Sequence, residues 1–433
     1  MKRLWVGAFF QFTPQLASFV VFTIITRQYD VQDVAAYVYA LNLFYLVMPA
    51  LTPAFEQYIL VNIKGAPEKE RNAGAVLSST ALAIIIISIP LVVGSILYLH
   101  ATANAPEVIP IYLAFLPALL VFPLTVTVQA FRARDDYKSL FRIGSSNIVA
   151  GASVRLFLAS TKADIIFIAL SFCIEPLVSA IYSIVRFRTT VGRFVFSRPQ
   201  FSLIWKVIRL TPMLAGYAFL VMLYVRAPTL VLAKTVAAPE LVRYSIASQL
   251  LTAMWSVVSS LFFVVNPPLA HLDMDSKEFA RLMRALFLLA TLIAIAYFIG
   301  NFVLSEFVAV HVFGSKAIGV GVLATILAPA GSLQIITTLR TTLALRANCF
   351  KQHMLALFIG FLCLAGMLWL TVPAYGAKGA AISIAVSTFV CAYPCSLIVP
   401  VMRPWLLDLL KCGLGLGGWR DLWGLITQFA AFR

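Results

Sequence analysis

Residues 64–99 read KGAPEKERNAGAVLSSTALAIIIISIPLVVGSILYL, in which a basic segment is followed by an apolar run, 75–99, that contains no charged residue. A bilayer core about 30 Å thick needs about 20 such residues in a helix, so the run predicts a membrane-spanning helix. The whole chain of 433 residues is 61% hydrophobic and 12% charged. Twelve runs of this kind occur, at approximately 4–26, 36–60, 75–99, 109–131, 143–160, 164–186, 208–232, 242–266, 285–309, 317–340, 354–372 and 377–401.

The basic residues are concentrated in every second gap between these runs. The gaps after runs 2, 4, 6, 8 and 10, together with the chain ends and the adjoining ends of runs 6, 7 and 10, hold 25 of the 33 Lys and Arg residues. Because basic loops stay in the cytoplasm, the pattern predicts an even number of helices with both termini cytoplasmic. The net charge of +16 is then explained by loops that lie beside anionic lipid headgroups, and no nucleic-acid partner is expected.

Short internal sequence repeats predict that the second half of the chain is a duplicate of the first. Residues Thr13–Phe19 are similar to Thr211–Tyr217, and two further repeats pair run 2 with run 8 and run 4 with run 10. Duplicated transporters bind their substrate between the two copies, so we expect a cleft between two six-helix lobes. The predicted parts are an N-terminal lobe over 1–187, a basic cytoplasmic linker over 188–206, a C-terminal lobe over 207–402 and a cytoplasmic interfacial tail over 403–433.

Charged groups inside the runs are the candidate functional residues, because each costs about 2.5–3.5 kcal/mol in the bilayer unless it is paired or hydrated. Arg27, Arg155 and Arg226 lie on three helices, at similar depth in the outer half of the membrane. Guanidinium groups donate two parallel hydrogen bonds to phosphate or carboxylate, so these arginines could hold an anion in a water-filled cleft. Alternatively, Arg155 pairs with Glu175, and Arg27 reaches the membrane interface.

Two carboxylates and one further arginine complete the candidate set. Glu56 and Glu175 lie well inside apolar runs, where each could bind a proton or sodium ion during transport or simply balance an arginine. Arg340, near the inner end of run 10, could contact substrate at an inner gate or reach the headgroup layer. The histidines lie near loops and receive no role, Cys391 and Cys395 are interpreted as packing residues, and no metal or other cofactor is expected.

Several motifs carry a resemblance to a known family. They are the opening helix that ends in Arg27 with Tyr37 beyond it, Leu223–Arg226, Tyr244–Leu250 and Asn266–Ala270. Through these loose motifs, residues 1 to about 402 resemble the Wzx-like polysaccharide flippases of the multidrug/oligosaccharidyl-lipid/polysaccharide exporter superfamily. No Walker loop or HExxH motif occurs in the sequence, and an enzyme is not expected.

The resemblance implies an all-helical, V-shaped, MATE-like carrier of the bacterial inner membrane. Such a carrier moves undecaprenyl-pyrophosphate-linked oligosaccharides to the outer leaflet by alternating access, for O-antigen, lipopolysaccharide or exopolysaccharide synthesis. Its implied partners are the lipid-linked oligosaccharide, membrane lipids and the polysaccharide polymerase machinery. A cationic lumen in such proteins accommodates pyrophosphate and anionic sugars, which fits Arg27, Arg155 and Arg226.

The resemblance has departures and leaves alternatives. Pro228 stands where relatives often carry an aspartate, so any ion coupling would depend on Glu56 or Glu175. Twelve predicted helices, rather than fourteen, argue against a lipid II flippase. A drug or cation antiporter of the same superfamily is an alternative, although a cationic cleft would repel cationic drugs. A membrane polysaccharide polymerase is a weaker alternative, because such enzymes need a large outward loop and the outward gaps here are short.

Overall fold

The computed structural model of the protein describes residues 2–48, 59, 63, 73–102, 106–134, 136–191, 197–252, 272–274, 276–413, 416 and 418–423, which form helices joined by turns and short irregular segments, with no strand among them. Residues 238–252 are helical as well, and the all-helical fold class is confirmed for these residues. The other α-helices are α1 (Lys2–Gln28), α2 (Val31–Val47), α3 (Ala73–Thr102), α4 (Val108–Val121), α5 (Val126–Ala133), α6 (Tyr137–Ser160), α7 (Ile165–Leu170), α8 (Ile174–Val191), α9 (Phe201–Thr235), α10 (Lys277–Phe313), α11 (Val320–Arg346), α12 (Phe350–Ala392) and α13 (Leu406–Gly413).

Seven helical segments within the described residues are long and apolar enough to cross a membrane. They are Ala73–Ala101, Val108–Arg132, Ile165–Thr189, Ala215–Thr235, Lys277–Phe313, Val320–Arg346 and Phe350–Ile398. The chain is therefore a multi-pass membrane protein by fold, whereas twelve spans and two cytoplasmic termini stay predictions. Glu56, the motif Asn266–Ala270 and the end of the tail lie outside the described residues.

Two predicted spans contain a local break at or near a proline. Run 4 consists of α4, a 3₁₀ turn over Phe122–Thr125 and α5, with Pro123 in the turn. Run 6 consists of α7, a 3₁₀ turn over Ser171–Cys173 and α8. Pro176 lies in the first turn of α8, where a backbone N–H has no intrahelical partner and proline therefore costs little.

Runs 11 and 12 form two antiparallel arms joined by a tight turn within α12. Gly376 has a φ of +53°, a conformation that glycine adopts without steric cost. Across the turn the hydroxyl of Thr371 donates to the carbonyl of Gly379 at 2.8 Å, and Gly360 faces Cys391. The segment Phe350–Ile398, with 49 residues, therefore contains both predicted runs.

The chain divides into two compact units, which are described separately. One unit comprises Leu16–Lys234, and the other comprises Met1–Gln15 with Thr235–Arg433. The first has a buried aromatic core in which the Phe44 and Phe115 rings lie 5.0 Å apart. The second packs α10 against α11 and the end of α12, with Met283 and Leu339 fully buried. The predicted lobes over 1–187 and 207–402 stay predictions.

Candidate functional site

Arg155 and Glu175 form an ion pair between α6 and α8. The Nη2 of Arg155 donates to Oε1 of Glu175, and the guanidinium lies 4.5 Å from the centre of the Phe172 ring. The Arg155 side chain is 3% exposed, whereas that of Glu175 is 36% exposed. The structure thus contains the pairing that was one of the two predicted arrangements of Arg155, and the carboxylate is its accessible member.

Polar residues spaced about two helical turns apart on α6 line its contact with α8. Asn147 precedes Arg155 by eight residues, and its amide donates to the Ser179 hydroxyl at 2.6 Å. Gly151 lies between them, and a Cβ on Gly151 would overlap the Glu175 side chain. The absence of a side chain at Gly151 therefore gives the carboxylate its space beside Arg155.

Arg226 lies on α9 and contacts the end of α2. Its Nη1 donates to Oδ1 of Asn42 at 3.2 Å, and its guanidinium lies 4.8 Å from the centre of the Tyr45 ring. The Asn42 amide nitrogen donates in turn to the Val38 carbonyl at 2.7 Å, which orients the amide oxygen toward Arg226. Asn42 therefore connects α2 with α9 through Arg226.

One aromatic cluster, defined here as Phe44, Tyr45, Phe115 and Phe172, joins these two arginines. The Phe115 ring packs on Phe44 and on Phe172, with centroid distances of 5.0 Å in both cases. Phe172 contacts the Arg155 guanidinium and Tyr45 contacts that of Arg226. The Tyr45 hydroxyl also interacts electrostatically with Arg226, Glu175 and Arg155. The structure thus brings Arg155, Arg226 and Glu175 to one site.

The two guanidinium groups keep unused hydrogen-bond donors. The Nη1 of Arg155 and the Nε of Arg226 are buried and have no hydrogen-bond partner in the structure. An unsatisfied buried donor costs about 1–3 kcal/mol, and more where the group is charged. The site therefore offers two buried cationic donors and an excess of one positive charge over Glu175, which is an arrangement that suits the oxygens of a phosphate or carboxylate.

Arg27 lies at the exposed end of α1, beside a corner that is tied to a distant loop. The Tyr29 hydroxyl donates to the Ala163 carbonyl at 2.5 Å. Burial, followed by the charges of Asp164 and Asp33, raises the pKa of Tyr29 above its usual range. This corner anchors the end of α1, and the predicted contact between Arg27 and substrate stays a prediction.

Arg340 lies in the other unit and is fully enclosed there. Its guanidinium donates to the Cys391 carbonyl, to the Ser396 hydroxyl at 3.3 Å and to the Cys391 sulfur at 3.1 Å. Its Nε donates to Nδ1 of His353 at 3.2 Å. His353 therefore accepts at Nδ1, carries its proton on Nε2 and is neutral, with Nε2 3.2 Å from the Thr341 hydroxyl.

Arg340, His353, Cys391 and Ser396 form a hydrogen-bonded cluster, which is called the clasp below. The Arg340 side chain has no exposed surface in this arrangement. It contacts the last turn of α12, whose carbonyl end attracts cations. The predicted role in substrate binding stays a prediction.

Among the residues that the structure describes, no group of three His, Cys, Asp or Glu side chains could hold a metal ion.

Sequence reasoning missed several residues of these two clusters. It gave Tyr45 and Gly151 no role, and it gave the histidines no role because they lie near loops, whereas His353 is 2% exposed. The spacing of Asn147, Gly151 and Arg155 at four-residue intervals is the one signal that could have indicated the α6 face. His353 gave no comparable signal, because its partner Arg340 lies on a different helix.

Comparisons with known proteins define the fold. No protein-family model matches the sequence, and no curated protein matches it. An inward-facing multidrug resistance MATE family transporter of the MOP superfamily is similar in structure, with a TM-score of 0.71, 11% identity and coverage of 92% of this chain and 96% of that one.

Two further solved structures are similar along nearly the whole chain. The lipid II flippase MurJ, in an inward closed conformation, has a TM-score of 0.68 and 13% identity, with 100% of this chain and 93% of that one covered. A mutant of the Vibrio cholerae MATE transporter VcmN has a TM-score of 0.65 and 14% identity, with 94% and 98% covered. The fold is therefore one that these MATE transporters and MurJ share.

Proposed function

We propose that this chain is a flippase that moves undecaprenyl-pyrophosphate-linked oligosaccharides across the bacterial inner membrane for surface polysaccharide synthesis. The observation that carries this proposal is the pair of buried guanidiniums, Arg155 and Arg226, whose unused donors flank one aromatic cluster. A pyrophosphate group carries several anionic oxygens, and guanidinium binds such oxygens through short, charge-assisted hydrogen bonds. The similarity in fold to a lipid II flippase supports transport of a lipid-linked substrate.

The finer features of the carrier belong to the same proposal. They are twelve spans in two lobes, both termini in the cytoplasm, alternating access between the lobes and a functional link to a polysaccharide polymerase. Arg27 would add a third cationic group at the outer end of α1. Glu175, or Glu56, would take part in any coupling to a proton or sodium ion.

A multidrug or cation antiporter is the second candidate, and the similarity in fold to MATE transporters favours it. The charge of the described site argues against it. A cationic drug would enter a site in which two guanidiniums face one carboxylate, and like charges at close range repel. Drug sensitivity of a deletion strain would distinguish the two candidates directly.

The deciding experiment follows the lipid-linked sugars after the gene is deleted. Extracted lipids are analysed by mass spectrometry, and the accessibility of their glycans is measured in oriented membrane vesicles. Complete repeat units that accumulate on the cytoplasmic face are the expected result. Unpolymerised units on the outer face would instead indicate a polymerase, and unchanged lipids with altered drug sensitivity would indicate an antiporter.

Arg155→Ala and Arg226→Ala test the site within this function. A hydrogen bond to a charged group contributes about 1.5–3 kcal/mol, so loss of either arginine should weaken binding of the anionic group about 10- to 150-fold. The measurement is complementation of the deletion strain, with expression checked by immunoblot. Arg142→Ala is the matched control, because Arg142 lies exposed on the same helix as Arg155. Full complementation by both site variants would contradict the assignment.

A further inference from the structure

We propose that Glu175 is an internal ligand of Arg155, and that the anionic group of the substrate displaces it. This inference rests on the proposed function, because it describes how the same site takes up an anion. It identifies Glu175 as a residue that sets the affinity of the site, through Arg155, in addition to any part that it plays in ion coupling.

The geometry of the pair indicates which partner moves. Arg155 is 3% exposed and is held over Phe172, whereas the side chain of Glu175 is 36% exposed. One terminal nitrogen of Arg155 binds the carboxylate, and the other, Nη1, is buried without a partner. The fixed guanidinium therefore offers one occupied and one vacant donor, and the accessible carboxylate occupies the former.

The chemistry of the exchange favours a phosphoryl group over the carboxylate. Glu175 satisfies one terminal nitrogen of Arg155, whereas guanidinium groups bind phosphate by two parallel hydrogen bonds. A phosphoryl group that replaces Glu175 can use both terminal nitrogens and gains the charge of Arg226 across the aromatic cluster. Without an anion, Glu175 keeps the buried charge of Arg155 paired, since an unpaired buried charge is strongly destabilising.

A substitution at Gly151 is a second way to displace the Glu175 carboxylate from Arg155. A methyl group at this position would overlap the Glu175 side chain, so Gly151→Ala must push Glu175 out of its place beside Arg155. This substitution changes no charge. It therefore separates displacement of the carboxylate from the general effect of removing a negative charge near an anion site.

The experiment measures binding of inorganic pyrophosphate to the purified full-length protein in detergent by isothermal titration calorimetry. Glu175 no longer competes with the anion in either variant, so Glu175→Gln and Gly151→Ala should each tighten binding about fivefold, which corresponds to about 1 kcal/mol. Glu107→Gln is the charge control, because Glu107 is exposed in a loop. Gly94→Ala is the glycine control, because a Cβ there meets no atom within 4 Å. Neither control should change the affinity.

The outcomes separate this inference from the function on which it rests. Tighter binding by both Glu175→Gln and Gly151→Ala supports displacement, and Gly151→Ala keeps the test decisive if Glu175→Gln fails to fold. Tighter binding by Glu175→Gln alone would mean that Glu175 acts only through its negative charge near the site, and it would overturn the inference. Unchanged affinity in both variants would overturn it as well. Pyrophosphate binding that is absent from every variant, or independent of Arg155 and Arg226, would overturn the anion site itself.

Discussion

Replacing Arg340 by methionine tests whether the clasp at the end of α12 stabilises the protein or serves the substrate. Methionine keeps the unbranched apolar stem of the side chain and removes every donor. The Ser396 hydroxyl keeps its bond to the Ala392 carbonyl at 2.6 Å. The Cys391 carbonyl and Nδ1 of His353 lose the Arg340 donors.

The magnitude follows from these two acceptors. Each buried acceptor that is left unsatisfied costs about 1–3 kcal/mol, which gives a loss of about 2–6 kcal/mol. With an unfolding entropy of about 2.1 cal/mol/K per residue, a chain of 433 residues shifts its midpoint by roughly 1 °C per kcal/mol. We therefore expect the unfolding temperature of Arg340→Met to fall by about 2–6 °C.

The assay is thermal unfolding of the detergent-solubilised protein, followed by intrinsic tryptophan fluorescence. Arg403→Met is the matched control, because Arg403 is exposed and donates to the Leu397 carbonyl at 2.8 Å. Its unfolding temperature should stay within about 1 °C of wild type, since solvent replaces that bond. An Arg340→Met protein with wild-type stability and no transport would refute the clasp and support the predicted contact with substrate.

Two further predictions concern single backbone and capping positions. Gly376→Ala should destabilise the protein by about 1–3 kcal/mol, because an L residue is strained at its φ of +53° and the new Cβ would overlap Glu240; Gly366→Ala, with no atom within 4 Å of its Cβ, should leave thermal stability unchanged or slightly raised. Asp136 caps α6 by accepting from the backbone N–H of Ser139 at 3.1 Å. Burial raises its pKa, but the Ser139 hydrogen bonds and the charge of Arg186 outweigh burial and hold the pKa below its usual range. Asp136→Ala should therefore cost about 1 kcal/mol at neutral pH. That difference should shrink as pH falls through the lowered pKa, and a difference independent of pH in thermal unfolding would contradict the argument.

The helices follow from the sequence because a bilayer leaves the backbone no other partner for its polar groups. Run 9, predicted over 285–309, lies within α10, and run 3 lies within α3. The breaks within runs 4 and 6 lie at or near prolines of the sequence, Pro123 and Pro176. Runs 11 and 12 were predicted separately, and the turn at Gly376 agrees with their boundary.

The candidate site was only partly predictable. Arg155, Arg226 and Glu175 were singled out because a charge inside an apolar run is costly and therefore conspicuous. Their partners were less visible. Asn42 contacts Arg226 across 184 positions of sequence, and aromatic residues such as Tyr45 and Phe172 are common in apolar runs. His353 received no role, because sequence position near a loop does not reveal burial.

The sequence by itself determined that this chain is a multi-pass helical protein and which charged residues lie inside its apolar runs, because both depend on local composition. The tertiary structure alone decided which partner each charge received. Glu175 pairs with Arg155, Asn42 and Tyr45 contact Arg226, and the end of α12 encloses Arg340. Hydrogen bonds and ion pairs act over a few ångströms, so these pairings depend on how helices distant in sequence are packed.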